Sequence, residues 1–180
     1  TYFAKQILLR KKGIKTNRLA KGSKPKSTLL IETCLLIATY STAAIQYASV
    51  FLSSYMLPFA LPAIVRWIGI ALTGRGVLFF LLAVTAMQDS WRAGVDESQK
   101  TAFITSGVYR ISRNPTFVGF DLLYIGTALT TPNVVMAIAA IASIACIHLQ
   151  ILEEERYLPR AFGDDYLQYK ERTPRYLLFL

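Results

Sequence analysis

The chain has 180 residues, a formal net charge of +9, 53% hydrophobic residues and only 17% charged ones. Its mean hydropathy of +0.38 is too apolar for an ordinary soluble domain, in which charged residues approach ~25%. The same apolar content excludes a disordered chain. The length suits one domain, and the composition is that of a membrane protein.

The charge is unevenly placed. Residues 1–27 hold nine basic residues (Lys5, Arg10, Lys11, Lys12, Lys15, Arg18, Lys21, Lys24 and Lys26) and no acid, which leaves eleven of each sign in 28–180. Beside a membrane span such an arm fixes orientation and attracts anionic lipid. A nucleic-acid surface would interleave aromatic or groove-reading residues with the charge, and here Tyr2 and Phe3 precede the cluster. The opening TYFAKQILL reads as part of the arm or as the end of a truncated apolar helix, not as a signal peptide. Cys34 and Cys146 lie in apolar runs with no CxxC or Cys/His cluster, so neither a disulfide framework nor a metal site is expected.

A hydrocarbon core needs about 20 apolar helical residues. The first predicted span is 28–52, with Glu32 near one end, and a connection rich in Ser and Pro follows at 53–62. The second covers 63–87 and is interrupted by Arg66 and Arg75. Residues 88–114 are polar. A shorter third run, 116–131, carries Asp121, and Pro132–Asn133 turns the chain into a fourth, 134–152, which continues into the acidic EEER. The prediction is an all-α polytopic bundle of about four transmembrane helices, with room for a fifth at the N-terminus. Lys and Arg are absent from the connections at 53–62 and 131–133, so the positive-inside rule places both termini and the 88–114 loop in the cytoplasm.

Ionisable groups inside apolar runs face a partner or a cavity. Asp121 is equally readable as part of a polar pocket or as half of a structural ion pair. Arg75 and Arg66 read as interfacial arginines that snorkel. His148, the only histidine, shares a helical stripe with Glu155. It reads either as an interfacial hydrogen-bonded residue or as a group whose proton Glu155 tunes.

Two stretches carry the chemistry. In TSGVYRISRNPTFVG (105–119), Gly107 permits an unusual turn, while Asn114 and Pro115 suit the N-cap and first position of a helix. Such a helix start receives a carboxylate or phosphate, and Arg110 and Arg113 add charge beside it. In EEERYLPRAFGDDYLQYKERTPRY (153–176), three glutamates stand near the predicted end of a long helix, where the dipole disfavours anions. A cation is expected to compensate: Arg156, Arg160, Arg172, Arg175 or a bound ligand.

Together these stretches resemble the integral-membrane methyltransferases that include isoprenylcysteine carboxyl methyltransferase and the phospholipid N-methyltransferases. That family shows a G-x-Y-x-x-x-R-H-P-x-Y-x-G segment, a helical hairpin, an E-E pair, F-G-x-x-Y-x-x-Y and a closing basic segment. The resemblance covers about 100–176 and extends loosely to SWRAGV; it makes 28–180 a membrane methyltransferase domain with its cofactor site in 105–176.

It implies that S-adenosylmethionine is bound by Tyr109, Arg113, Asn114, Pro115, Gly119, Glu154, Glu155, Phe162, Tyr166, Tyr169 and Arg175. Glu154, Glu155 and Arg172 are the implied catalytic set. The acceptor is a lipophilic molecule from the bilayer: an isoprenylcysteine carboxylate or, alternatively, a phospholipid amine. Asn114 replaces the family histidine, which removes a titratable group, and Phe117 replaces a tyrosine. No strand followed by G-x-G-x-x-G is present. Two other readings stay open: an NADPH-dependent sterol-reductase-like enzyme and a non-catalytic membrane subunit.

Overall fold

The computed structural model describes Lys11 and residues 19–21, 24–90 and 102–178. Most of the basic arm, and the SWRAGV stretch beyond Ser90, lie outside the described residues. Among those described there are four long α-helices, three short 3-10 turns and no β-strand: the helices are α1 (Lys26–Leu52), α2 (Ala63–Ala86), α3 (Pro115–Thr130) and α4 (Val134–Arg172). Helices α1, α2 and α4 are long and apolar enough to cross a membrane. At 16 residues, α3 is about 24 Å long, short of the ~30 Å hydrocarbon core. It is bounded tightly by Pro115 at its start and by Pro132 beyond its end, and proline opposes helix at the preceding residue. Three of the four expected spans are therefore long enough, and α3 is the exception.

The helices pack in the order α2–α3–α4–α1. Large apolar side chains such as Ile37, Phe51, Ile64, Trp67 and Ile141 point outward, an exposure that fits lipid rather than water. Between helices, polar groups pair: Thr42 with Ser143 at 2.7 Å, Gln46 with Thr127 at 3.2 Å and Asn133 with Ser49 at 3.2 Å. In a bilayer these hydrogen bonds and close small-residue contacts replace the hydrophobic drive between helices.

The α2–α3 crossing is made of glycine. A Cβ at Gly76 would lie 2.6 Å from the Gly119 carbonyl oxygen, and one at Gly126 would lie 2.6 Å from that of Gly69. Gly126→Leu is therefore expected to cost about 1–3 kcal/mol or more through overpacking. Gly74→Leu, where a Cβ meets nothing within 4 Å, is expected to have little packing effect. Thermal denaturation of the two variants in detergent checks the contrast.

Each end of the bundle has its own character. The two charge-free connections meet at one end, where Phe59 N–H donates to the Pro132 carbonyl and Val134 N–H to that of Leu57, each at 3.2 Å. Arg66 donates to the Thr130 carbonyl at 3.2 Å, a cation at the negative end of α3. Arg75 is exposed, and no Arg75–Asp121 ion pair forms among the described residues. The ion pairs gather at the other end, on Glu32, Glu153 and Glu155.

One expectation about α4 needs correction. The glutamates do not stand at its end, because the helix continues through Pro159 to Arg172. It does so with a break at Gly163, whose φ of 55° and ψ of −135° are open essentially to glycine alone. The turns after the break change direction and return the chain toward the start of α3.

Candidate functional site

The site is assembled where the start of α3 meets the segment that leaves α4. Gly107, with φ at 63°, opens a one-turn 3-10 helix over Gly107–Arg110. The chain then runs through Ser112 and Arg113 to Asn114, with Pro115 as the first residue of α3. The tail lies beside it. Arg113 N–H donates to the Pro174 carbonyl at 2.9 Å, Ser112 Oγ to the Arg175 carbonyl at 3.1 Å, and Arg113 Nη1 to the carbonyls of Thr173 at 2.7 Å and Lys170 at 3.0 Å. Asn114 occupies the predicted N-cap position, yet its side chain does not cap the helix. Instead its Nδ2 donates to the Arg175 carbonyl at 3.2 Å and to Glu155 Oε1 at 3.4 Å.

Glu155 is the centre of this arrangement. Its Oε1 accepts from Arg113 Nε at 3.2 Å and Nη2 at 3.0 Å, and its Oε2 from Arg175 Nε at 3.0 Å and Nη2 at 2.8 Å. With Asn114 that makes five donors on two oxygens. A carboxylate has about four lone-pair sites, so Glu155 is saturated and organises the site. The two arginines against one glutamate leave one positive charge in excess. Arg113 has its guanidinium almost wholly enclosed, whereas the Arg175 side chain is 31% exposed, and among the described residues its Nη1 has no hydrogen-bond partner. Hydrogen bonding to Glu155 raises the Arg175 pKa further, so it is a permanent cation.

The neighbouring glutamates face other ways. Glu154 accepts one hydrogen bond, from Gln150 Nε2 at 3.0 Å. Glu153 accepts from Thr28 at 3.0 Å and pairs with Arg156. Glu32, fully buried, binds Lys24 Nζ through both oxygens at 2.8 Å and accepts the Ala20 N–H at 2.8 Å. Lys24 of the basic arm is thus turned inward. Of the arginines expected to compensate the acidic run, Arg156 and Arg175 form ion pairs while Arg160 and Arg172 are exposed; Arg113, not among those expected, is the third partner.

Aromatic rings wall the cluster. Phe162 stacks on Phe103 at 4.7 Å, and Phe103 meets the edges of Tyr169 at 5.4 Å and Tyr166 at 6.1 Å. Tyr169 Oη donates to the Tyr109 carbonyl at 2.6 Å. Burial, opposed by a hydrogen bond with Thr116, pushes the Tyr109 phenol up to about 12, so it stays neutral. Tyr166 Oη and Gln150 Oε1 are buried with no hydrogen-bond partner among the described residues. Such orphaned polar atoms in a native interior call for a ligand or water.

Of the predicted residues, Tyr109, Arg113, Asn114, Glu155, Tyr166, Tyr169 and Arg175 come together here, with Pro115 buried at the base of α3 and Phe162 reached through Phe103. Gly119 belongs to the crossing with α2. His148 binds Tyr176 Oη through Nδ1 at 2.6 Å rather than Glu155, with the two rings stacked. Phe103, Ser112 and Tyr176 were not singled out by the sequence reading. An aromatic residue isolated within the polar 88–114 stretch, and one closing the basic segment, are the signals that point to Phe103 and Tyr176.

The family profile described as phospholipid methyltransferase matches residues 64–165. Protein-S-isoprenylcysteine O-methyltransferase B of Arabidopsis thaliana is 38% identical over 72 residues, 39% of this chain and 36% of that protein. The Xenopus laevis and Homo sapiens proteins named protein-S-isoprenylcysteine O-methyltransferase are 35% and 33% identical over 86 residues, 47% of this chain and 30% of each relative. The chain therefore spans about a third of the length of these relatives.

Proposed function

The chain belongs to the phospholipid methyltransferase family, and on that premise we propose that it is an integral-membrane, S-adenosylmethionine-dependent methyltransferase acting on a lipophilic acceptor drawn from the bilayer. Carboxyl O-methylation of an isoprenylcysteine is the leading reaction, in keeping with the names of the relatives. Methylation of a phospholipid amine is the second, in keeping with the family's description. Both termini and the charged end of the bundle face the cytoplasm in this reading, with anionic lipid against the basic arm.

One observation carries the proposal. Arg113, Glu155 and Arg175 join the two motif stretches into a buried charged cluster at the membrane exit, beside orphaned Tyr166 Oη. These residues fit the amino-acid end of the cofactor. Arg175 Nη1 suits its carboxylate, with the charge-assisted geometry that arginine favours. Glu154, to which Gln150 alone donates among the described residues, suits its ammonium, and Tyr166 Oη supplies a further hydrogen bond. Phe162 offers a flat face for the adenine or the sulfonium. When bound, S-adenosylmethionine supplies an electrophilic methyl carbon on sulfur. The protein holds donor and acceptor in line and excludes water, and such positioning contributes several kcal/mol. Asn114 cannot shuttle a proton at neutral pH, so its part is to hold Glu155 and the tail. Arg172, exposed on the last turn of α4, approaches an acceptor's anionic head from the cytoplasmic side in this reading.

Titration of the detergent-solubilised protein with S-adenosylhomocysteine by calorimetry tests this. Saturable binding is expected, weakened about tenfold to hundredfold by Arg175→Ala, the range for a hydrogen bond to a charged group. Saturable binding of NADPH instead would support the reductase reading. Binding of neither by demonstrably folded protein would support the non-catalytic one.

A further inference from the structure

The polar end of the bundle has a second storey. Asn114 and Glu155 touch at 3.4 Å, and α3 enters the bundle from that level while α4 leaves it there. Counting seven residues inward along α3 gives Asp121, and seven back along α4 gives His148. Both lie about 10 Å deeper, at matching depth. Tyr176 of the tail reaches this level through its 2.6 Å bond to His148 Nδ1. Its phenol is raised by burial and then by the charge of Asp121, which places Asp121 within electrostatic reach. Asp121 Oδ1 is buried and has no hydrogen-bond partner among the described residues. On α3, Phe117 and Tyr124 stand one turn to either side of Asp121, and they share one apolar cluster with Phe120 of the same helix and Ile144 and Ile147 of α4, a surface suited to a lipid chain. An orphaned carboxylate oxygen between a charged outer cluster and an apolar interior has a use only if a donor comes to it.

We propose that Asp121, beside the His148–Tyr176 pair, is a specificity-determining residue that accepts a hydrogen bond from an N–H on the head of the membrane-borne acceptor. The inference rests on the methyl-transfer reading and deepens it. Two acceptors carry that chemistry: the amide nitrogen next to an isoprenylcysteine carboxylate, and the ammonium of an amine headgroup. Asp121 touches neither donor methyl nor leaving sulfur in this assignment. With the prenylcysteine it holds the amide so that the separate carboxylate turns outward, toward the Glu155 level; with the amine the nitrogen it holds is itself the nucleophile, and the Asp121 carboxylate takes the ammonium proton, which frees the lone pair for the methyl group.

The test compares three amphiphiles of equal chain length in detergent: an N-acetylated S-prenylcysteine, its analogue lacking the amide nitrogen, and a long-chain primary amine. Affinity is read by calorimetry, with S-adenosylhomocysteine titrated in parallel. The prenylcysteine or the amine is expected to bind about tenfold to hundredfold more tightly than the analogue. Asp121→Leu is expected to abolish that preference while S-adenosylhomocysteine binding is unchanged. Asp121→Asn separates the sources, since a neutral amide oxygen keeps most of the preference for an amide N–H and loses that for an ammonium. A preference that survives Asp121→Leu, or no preference in the unaltered protein, would overturn the assignment. Failure to bind S-adenosylhomocysteine would instead overturn the methyltransferase reading on which it stands.

Discussion

Glu155→Gln is expected to dismantle the site. The carboxylate is buried, its side chain only 6% exposed, and among the described residues it is the one counter-charge paired with both Arg113 and Arg175. Glutamine keeps the shape but leaves two guanidinium groups facing each other, one of them almost enclosed. Removing one partner of a buried ion pair costs about 3–5 kcal/mol, and the more exposed Arg175 places this case at the lower end of that range. Binding of S-adenosylhomocysteine should fall beyond detection, and the melting temperature in detergent should drop. Glu153→Gln is the control. Its partner Arg156 is 73% exposed, and such pairs contribute about 0–1 kcal/mol, so both readouts should stay near the unaltered values. The double variant Glu155→Gln/Arg175→Gln should recover part of the stability, because it removes one of the stranded charges along with its partner. Equal melting temperatures for Glu155→Gln and Glu153→Gln would show that Glu155 is not the organiser.

How far this arrangement was legible in the sequence depends on the range of the forces involved. Helix positions follow from apolar runs and proline punctuation, which are local, so α1, α2 and the start of α4 fall where the composition puts them. Asn114 and Pro115 likewise mark the start of α3. The partners were not local. That Arg113 holds Glu155, 42 residues away, follows neither from spacing nor from the family motif, which contains both residues without pairing them. That Asn114 gives up capping for the Arg175 carbonyl depends on where the tail lands. His148 shares a helical stripe with Glu155, yet Tyr176 takes its ring nitrogen, because the tail brings a hydroxyl closer than a carboxylate two turns away. The continuation of α4 past its glutamates was hidden by Pro159 and Gly163, both of which read as stop signals. A helix with a proline inside survives when its flanking turns are packed, and Tyr166 and Tyr169, both buried, supply that packing.

The same break yields the other large effect. Gly163 sits at φ 55° and ψ −135°, where a Cβ is strained whatever the space around it, and a Cβ there would meet nothing within 4 Å. The cost of Gly163→Ala is therefore backbone strain alone, about 1–3 kcal/mol. That strain can be relieved by straightening the helix through 163. Straightening would redirect the turns after Asp164 and carry Tyr166, Tyr169 and Arg175 away from Phe103, Tyr109 and Glu155. The membrane-crossing helices would not be disturbed, since the α2–α3 glycine crossing and the Thr42–Ser143 bond between α1 and α4 lie far along the chain from Gly163. Gly163→Ala should thus leave expression and helix content nearly unchanged while weakening S-adenosylhomocysteine binding by about tenfold or more, the equivalent of 1.4 kcal/mol. Limited proteolysis should cut the variant after Arg172 or Arg175 faster than the parent, because the tail hydrogen bonds from Ser112, Arg113 and Asn114 would be lost. Unchanged affinity together with unchanged protection of those arginines would mean that alanine is tolerated at the break and that the tail is held by the Glu155 cluster alone.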